Sequence, residues 1–116
     1  MNVVRIYTGP DGKSHFEDVD LPFAPGGESN ATPLRAAKGV RFNRYQPGHR
    51  VDWHPAPQRQ YVVNLAGQAE IEIGDGTVRR FSPGDVLLAE DLTGQGHITR
   101  VVGNQTRVTM WVALES

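Results

Sequence analysis

Turn-forming residues recur along this chain at intervals too short to leave room for helices. Its 116 residues include 13 Gly and 8 Pro, which punctuate short runs of β-branched and aromatic residues. Glycine supplies positive φ without steric cost and proline presets φ, so each cluster marks a reversal of the chain. Short runs bounded by such clusters are the pattern of an all-β sandwich or barrel. Strands are expected at 3–7, 14–19, 40–45, 50–53, 61–65, 68–73, 77–81, 86–89, 97–101 and 106–112. In the 68–73 run, Ala69, Ile71 and Ile73 alternate with Glu70 and Glu72, which puts the three apolar residues on one face. Residues 22–33 lack periodicity and read as a long surface loop, with at most a helical turn at Ala36-Ala37. The expectation is one domain: N-terminal strands and a loop over 1–38, packed on a barrel over 39–116.

Composition excludes several classes. Hydrophobic residues are 38% and charged residues 22% of the chain, as in a folded globular domain. Twelve Lys+Arg against 13 Asp+Glu give a net charge of -1, which argues against a partner recognised by phosphate neutralisation, and so against nucleic acid. The apolar runs, such as Val86-Leu87-Leu88-Ala89, are too short for a membrane helix or a signal-peptide core. With Met1–Arg5 reading as the start of a strand, a cytoplasmic protein is expected. Cysteine is absent, which removes disulfides, thiol catalysis and iron–sulfur clusters. Gly12-Lys13-Ser14 mimics the end of a phosphate-binding loop, but Tyr7 stands where the earlier glycine is needed and no helix follows. No Gly-x-Ser-x-Gly elbow is present.

Four histidines therefore dominate the chemistry: His15, His49, His54 and His97. His15 and His49 read as exposed turn or strand residues. Gly48, His54 and Gly67 arrive in order, followed by the turn Pro83-Gly84-Asp85 and then His97. With these residues the chain resembles the cupin superfamily from Gly39 to Val112. The resemblance implies a small jelly-roll β-barrel with a pocket at one end. It also implies a site at which three His and one Glu, drawn from two motifs, hold a divalent ion such as iron, manganese, nickel or zinc.

The sequence departs from that pattern. In one register Ala56 stands at the second His position and Gln60 at the Glu position, leaving His54 and His97 with a neutral amide. In another, His54-Pro55 is the second His of the pair and Asp52 stands at the first. Asp52 and His54, two apart on a strand, then share a face. The ligand set becomes Asp52, His54, Gln60 and His97, near the two-His, one-carboxylate platform of non-haem iron. The glycine spacing favours the first register.

Alternation adds further pocket candidates. If Gln60 faces inward, so do Val62 and Asn64; if Val40 and Phe42 do, so does Arg44. A guanidinium there, Arg44 or Arg50, favours an anionic ligand through paired hydrogen bonds. The leading expectation is a barrel that binds a small organic molecule through His54, Gln60, His97, Asn64 and Arg44, with metal weak or absent. A metal-dependent dioxygenase or isomerase is the alternative. In a third reading, His54 or His97 acts as a general base once a carboxylate or hydroxyl orients it. The resemblance implies a homodimer, for which exposed strand edges and residues 3–19 are available to pair across a two-fold axis.

Overall fold

The computed structural model describes residues 1–116 and contains twelve strands and no helix. These are β1 (Asn2–Thr8), β2 (Ser14–Asp20), β3 (Ala24–Gly26), β4 (Ser29–Ala31), β5 (Ala37–Tyr45) and β6 (Arg50–His54). They continue as β7 (Gln60–Ala66), β8 (Gln68–Glu72), β9 (Val78–Phe81), β10 (Val86–Glu90), β11 (His97–Val102) and β12 (Arg107–Leu114). A six-stranded sheet runs β2-β1-β10-β7-β12-β5, and a four-stranded sheet runs β6-β11-β8-β9. The all-β expectation holds, and each expected strand is present with ends shifted by no more than three residues.

Two details differ from the expectations. Residues 22–33 are not structureless: β3 and β4 form a small exposed hairpin. Ala36-Ala37 makes no helical turn, because β5 begins at Ala37 and pairs with Leu114.

The core lies between the two sheets. Val4, Ile6, Val62, Leu87 and Ala89 from the larger sheet meet Ile71, Ile73 and Phe81 from the smaller. Period-two alternation puts these residues inward and leaves Glu70 and Glu72 outside, paired with Arg80 and Arg100. Each large aliphatic or aromatic side chain so buried contributes about 1.5–3 kcal/mol. β1 is part of this core. It runs parallel to β10 on one side and antiparallel to β2 on the other, so both of its edges are satisfied within the chain.

β5 corrects the reading of Arg44. Its partners on β12 are Tyr45↔Arg107, Asn43↔Thr109 and Arg41↔Trp111. Arg107 and Thr109 are buried, so the odd-numbered residues of β5 face inward. Val40 and Phe42 lie on the open outer face, 60% and 65% exposed, and Arg44 is exposed beside them. Their apolar character does not report an inward direction, because β5 is an edge strand.

Across β1, β7 and β10, Glu90 accepts from Arg5 Nε at 2.6 Å through one oxygen and lies 2.6 Å from Arg59 Nε through the other. Burial pushes the Glu90 carboxyl up, but hydrogen bonds and charge from the two arginines outweigh this and hold it below the ordinary glutamate range. The stability this provides is present in full above about pH 4.5 and is lost as pH falls through the lowered value. Glu90→Gln is expected to cost about 1–2 kcal/mol at neutral pH. It should also flatten the acid limb of a stability–pH curve measured by urea denaturation.

Candidate functional site

Between the sheets lies a cavity of about 300 Å³, at the small end of the range for organic ligands. Most of its wall is apolar, with Val51, Val62, Ile71, Leu87, Val101 and Trp111 among the lining residues. The polar groups are few: His54, Gln60 and His97 near one end, Tyr45, His49 and Arg107 near the other, and Thr99 on β11 between them. Strand pairing fixes the two ends. His97 sits opposite His54, whereas Val101 exchanges backbone hydrogen bonds with Gly48 and His49. Four residue steps along β11 lead from His97 to Val101, about 13 Å of strand.

A β-bulge turns His54 inward. His97 opposes His54 but Thr99 opposes Val51, so β6 carries one extra residue across this step. In an unbroken strand, Val51 inward would send His54 outward. The bulge reverses the parity after Asp52, as bulges beside functional sites often do. Asp52 and His54 therefore do not share a face. The Asp52 side chain is 70% exposed, and its carboxylate accepts from the Trp53 amide and Arg50. It is no partner to His54 in the cavity.

His54 Nδ1–H donates to the Asp52 carbonyl at 2.7 Å. The His54 and His97 rings lie side by side, with centroids 4.5 Å apart. Gly96 permits this approach. It has φ +75°, and a Cβ there would collide with the His54 carbonyl. Only glycine fits, so the loop before β11 passes directly against β6.

His97 is held by a residue that sequence reasoning missed. Its Nδ1–H donates to Asp91 Oδ2 at 2.6 Å. The same oxygen accepts from Ser14 Oγ at 2.7 Å, and Asp91 is wholly buried. Nothing local marks Asp91 in the sequence. Its role follows from the docking of loop 91–96 on the β1–β2 turn, where Gln95 N–H donates to the Gly12 carbonyl. The Asp91 carboxylate fixes one tautomer of His97 and leaves Nε2 as a hydrogen-bond acceptor. The histidine of a catalytic acid–base pair is oriented in the same way.

Gln60 is buried, and its amide oxygen accepts from Gln58 at 3.3 Å. Asn64 is buried but lies behind the cavity wall: its Nδ2 donates to the Gly67 carbonyl and its Oδ1 accepts from Arg107 Nε, both at 2.7 Å. Arg107 takes the place expected of Arg44. It is 6% exposed and lines the cavity. Its guanidinium meets no carboxylate, and the bond to Asn64 is its one side-chain hydrogen bond. The Tyr45 ring lies 5.9 Å from the guanidinium carbon. Burial holds the Arg107 guanidinium below the ordinary arginine range, and the Tyr45 phenol partly opposes the shift. The available signal was the alternation Arg107, Thr109, Trp111, whose direction only the register with β7 could settle.

A divalent transition metal finds a poor donor set. At the histidine end are two imidazoles and one neutral amide. Asp52 points away, Asp91 lies outside the cavity lining with Oδ2 taken by Ser14 and His97 and Oδ1 unpartnered, and no three His, Asp or Glu side chains converge. Sites for iron, manganese, nickel or zinc draw three or four His or carboxylate ligands, with negative charge to balance the ion. The residues present do not fit such a group.

Both imidazoles have Nδ1 committed to an oxygen acceptor. Long-range ¹H–¹⁵N correlation spectra of the neutral rings are expected to show His54 and His97 protonated at Nδ1. In Asp91→Asn, His97 should lose that preference while His54 keeps it.

No family model and no curated protein matches the chain. Solved structures do resemble it. A Cupin 2 conserved barrel domain protein from Salinispora arenicola is 19% identical over 72% of this chain and 68% of its own, with a TM-score of 0.56. A conserved protein with a double-stranded β-helix domain from Klebsiella pneumoniae is 21% identical over 79% and 82%, with a TM-score of 0.52. A cupin domain from Bordetella pertussis is 19% identical over 66% and 80%, also with a TM-score of 0.52. No helix is long and apolar enough to cross a membrane. Likeness at these identities carries fold alone, and it agrees with the two facing sheets: the chain is a cupin-fold, double-stranded β-helix barrel.

Proposed function

We propose that this barrel binds a small organic molecule in its central cavity and does so without a metal ion. The cavity itself carries the reading: about 300 Å³ of mostly apolar wall with a few convergent polar groups. Such a site selects ligands by shape and a small number of hydrogen bonds. The donor set supports metal independence, since two imidazoles and an amide leave an ion's charge uncompensated.

A second reading follows from Asp91. A histidine whose Nδ1–H is held by a buried carboxylate is built to accept a proton at Nε2 and to be stabilised once charged. On this reading the bound molecule undergoes proton transfer at His97, as in an isomerase or epimerase. Asp91→Asn is then expected to lower turnover by about a hundredfold or more, in line with the contribution of a positioned general base, while ligand affinity is retained. Equal losses of turnover and affinity would count against it.

The primary reading is tested by thermal shift against a library of small organic compounds, since a ligand bound only by the folded state raises the melting temperature. Stabilising compounds should lose their effect in Thr99→Phe, which fills the cavity from β11. Elemental mass spectrometry on protein purified without chelator should give far less than one equivalent of metal per chain. A stoichiometric ion lost in His54→Ala would instead restore the metalloenzyme reading.

A further inference from the structure

We infer that the cavity is built for a monocarboxylate, with Arg107 as the anchor for its carboxylate group at the end opposite the histidines. The inference rests on the proposed function and names the ligand class for the same cavity.

Arginine is almost never buried without a partner. The guanidinium carries five N–H donors in a planar fork. In Arg107 one of them, Nε–H, is taken by Asn64, and the terminal nitrogens meet no protein acceptor. No carboxylate lies within salt-bridge distance of Arg107, although ten other ion pairs or networks decorate the surface arginines and histidines and the N-terminus. A buried charge left in this state is costly unless something supplies the counter-charge. The side chain is nevertheless held firmly. Asn64 fixes Nε, the Gly67 carbonyl fixes Asn64, and Tyr45 flanks the guanidinium. Gly67 is also required: at φ +69° it lies against Thr106 and Arg107, and a Cβ there would stand 2.8 Å from the Arg107 Cα. A cation positioned in this way and left unpaired at a cavity wall is a preformed anion site.

The charge count selects the anion. Arg107 is one cation, and no second Arg or Lys lines the cavity. A carboxylate matches it in charge and in fork geometry, whereas the second negative charge of a phosphate would meet only the exposed imidazole of His49. The apolar middle of the cavity receives a hydrocarbon segment, and the imidazole end accepts a neutral hydrogen-bonding group.

The test compares straight-chain monocarboxylates of increasing length with their primary amides and with inorganic phosphate. Binding is read by isothermal titration to wild type, Arg107→Met and Arg107→Lys. Carboxylates should bind wild type at least tenfold more tightly than the matching amides and than phosphate. Arg107→Met should lose that preference, and Arg107→Lys should recover part of it without the fork. Without ligand, Arg107→Met should lose no more stability than one buried hydrogen bond, because removing an unpaired buried charge offsets the Asn64 oxygen it leaves without a donor. A larger loss in ligand-free Arg107→Met would mark Arg107 as structural and overturn the inference. Amides binding as well as carboxylates would also overturn it, while leaving the organic-ligand cavity intact. If neither amides nor carboxylates bind wild type at millimolar concentration, the inference fails, and the library thermal shift alone then decides the proposed function.

Discussion

One buried carboxylate, that of Asp91, ties the site to the rest of the barrel. Burying an ionised carboxylate is expensive unless hydrogen bonds replace its water. Ser14 and His97 both donate to Oδ2, and the backbone carbonyl of Asp91 accepts from the Ala56 amide. The residue therefore joins β2, β11 and the segment after β6. Removing it would leave the Ser14 hydroxyl and the His97 ring without their partner in a dry interior. The loop that carries it is fixed at a second point, where a Cβ on Gly94 would collide with the Gly12 carbonyl. The N-terminal hairpin, which precedes every motif residue, is thus part of the machinery that orients His97.

The same packing explains how much could be read from the sequence. Strands were legible because turn chemistry is local: Gly and Pro act on the backbone within four residues of themselves. The direction of Ala69, Ile71 and Ile73 was legible because an uninterrupted alternation has only one buried solution. His54 and His97 were found through their order relative to the glycines, and the structure brings them together. Asp52 failed because a β-bulge inverts the parity of β6, and a bulge is set by the partner strand rather than by residues 50–54. Arg44 failed because Val40 and Phe42 are apolar yet lie on an open sheet edge. Asp91 was invisible, and the direction of Arg107 undecided, for one shared reason. Each is defined by contacts distant along the chain, Ser14 for one and Asn64 for the other, and no local pattern encodes them.

The two polar ends of the cavity differ in electrostatic character. At the histidine end, the negative charge of Asp91 lies behind the ring of His97 and is shielded from the cavity by it. The face that His97 presents is a neutral nitrogen. At the other end, Arg107 presents positive charge directly. Because the walls between are mostly apolar, this difference is screened less than the same charges would be at the surface. A ligand with a charged and an uncharged end would enter with a preferred direction set by the protein.

This arrangement gives a physical sense to the departures at Ala56 and Gln60. In a barrel that holds a divalent ion among its histidines, the ion is the strongest local charge and fixes the orientation of whatever binds beside it. With an alanine and an amide in place of two ligands, no such charge is held at the histidine end. The fixed cation in this cavity is instead Arg107, carried on β12 at the opposite end. Moving the positive charge away frees both imidazoles to hydrogen-bond a ligand through Nε2 rather than an ion. The neutral residues at one end and the unpaired guanidinium at the other together set the fixed positive charge of this cavity apart from its histidines.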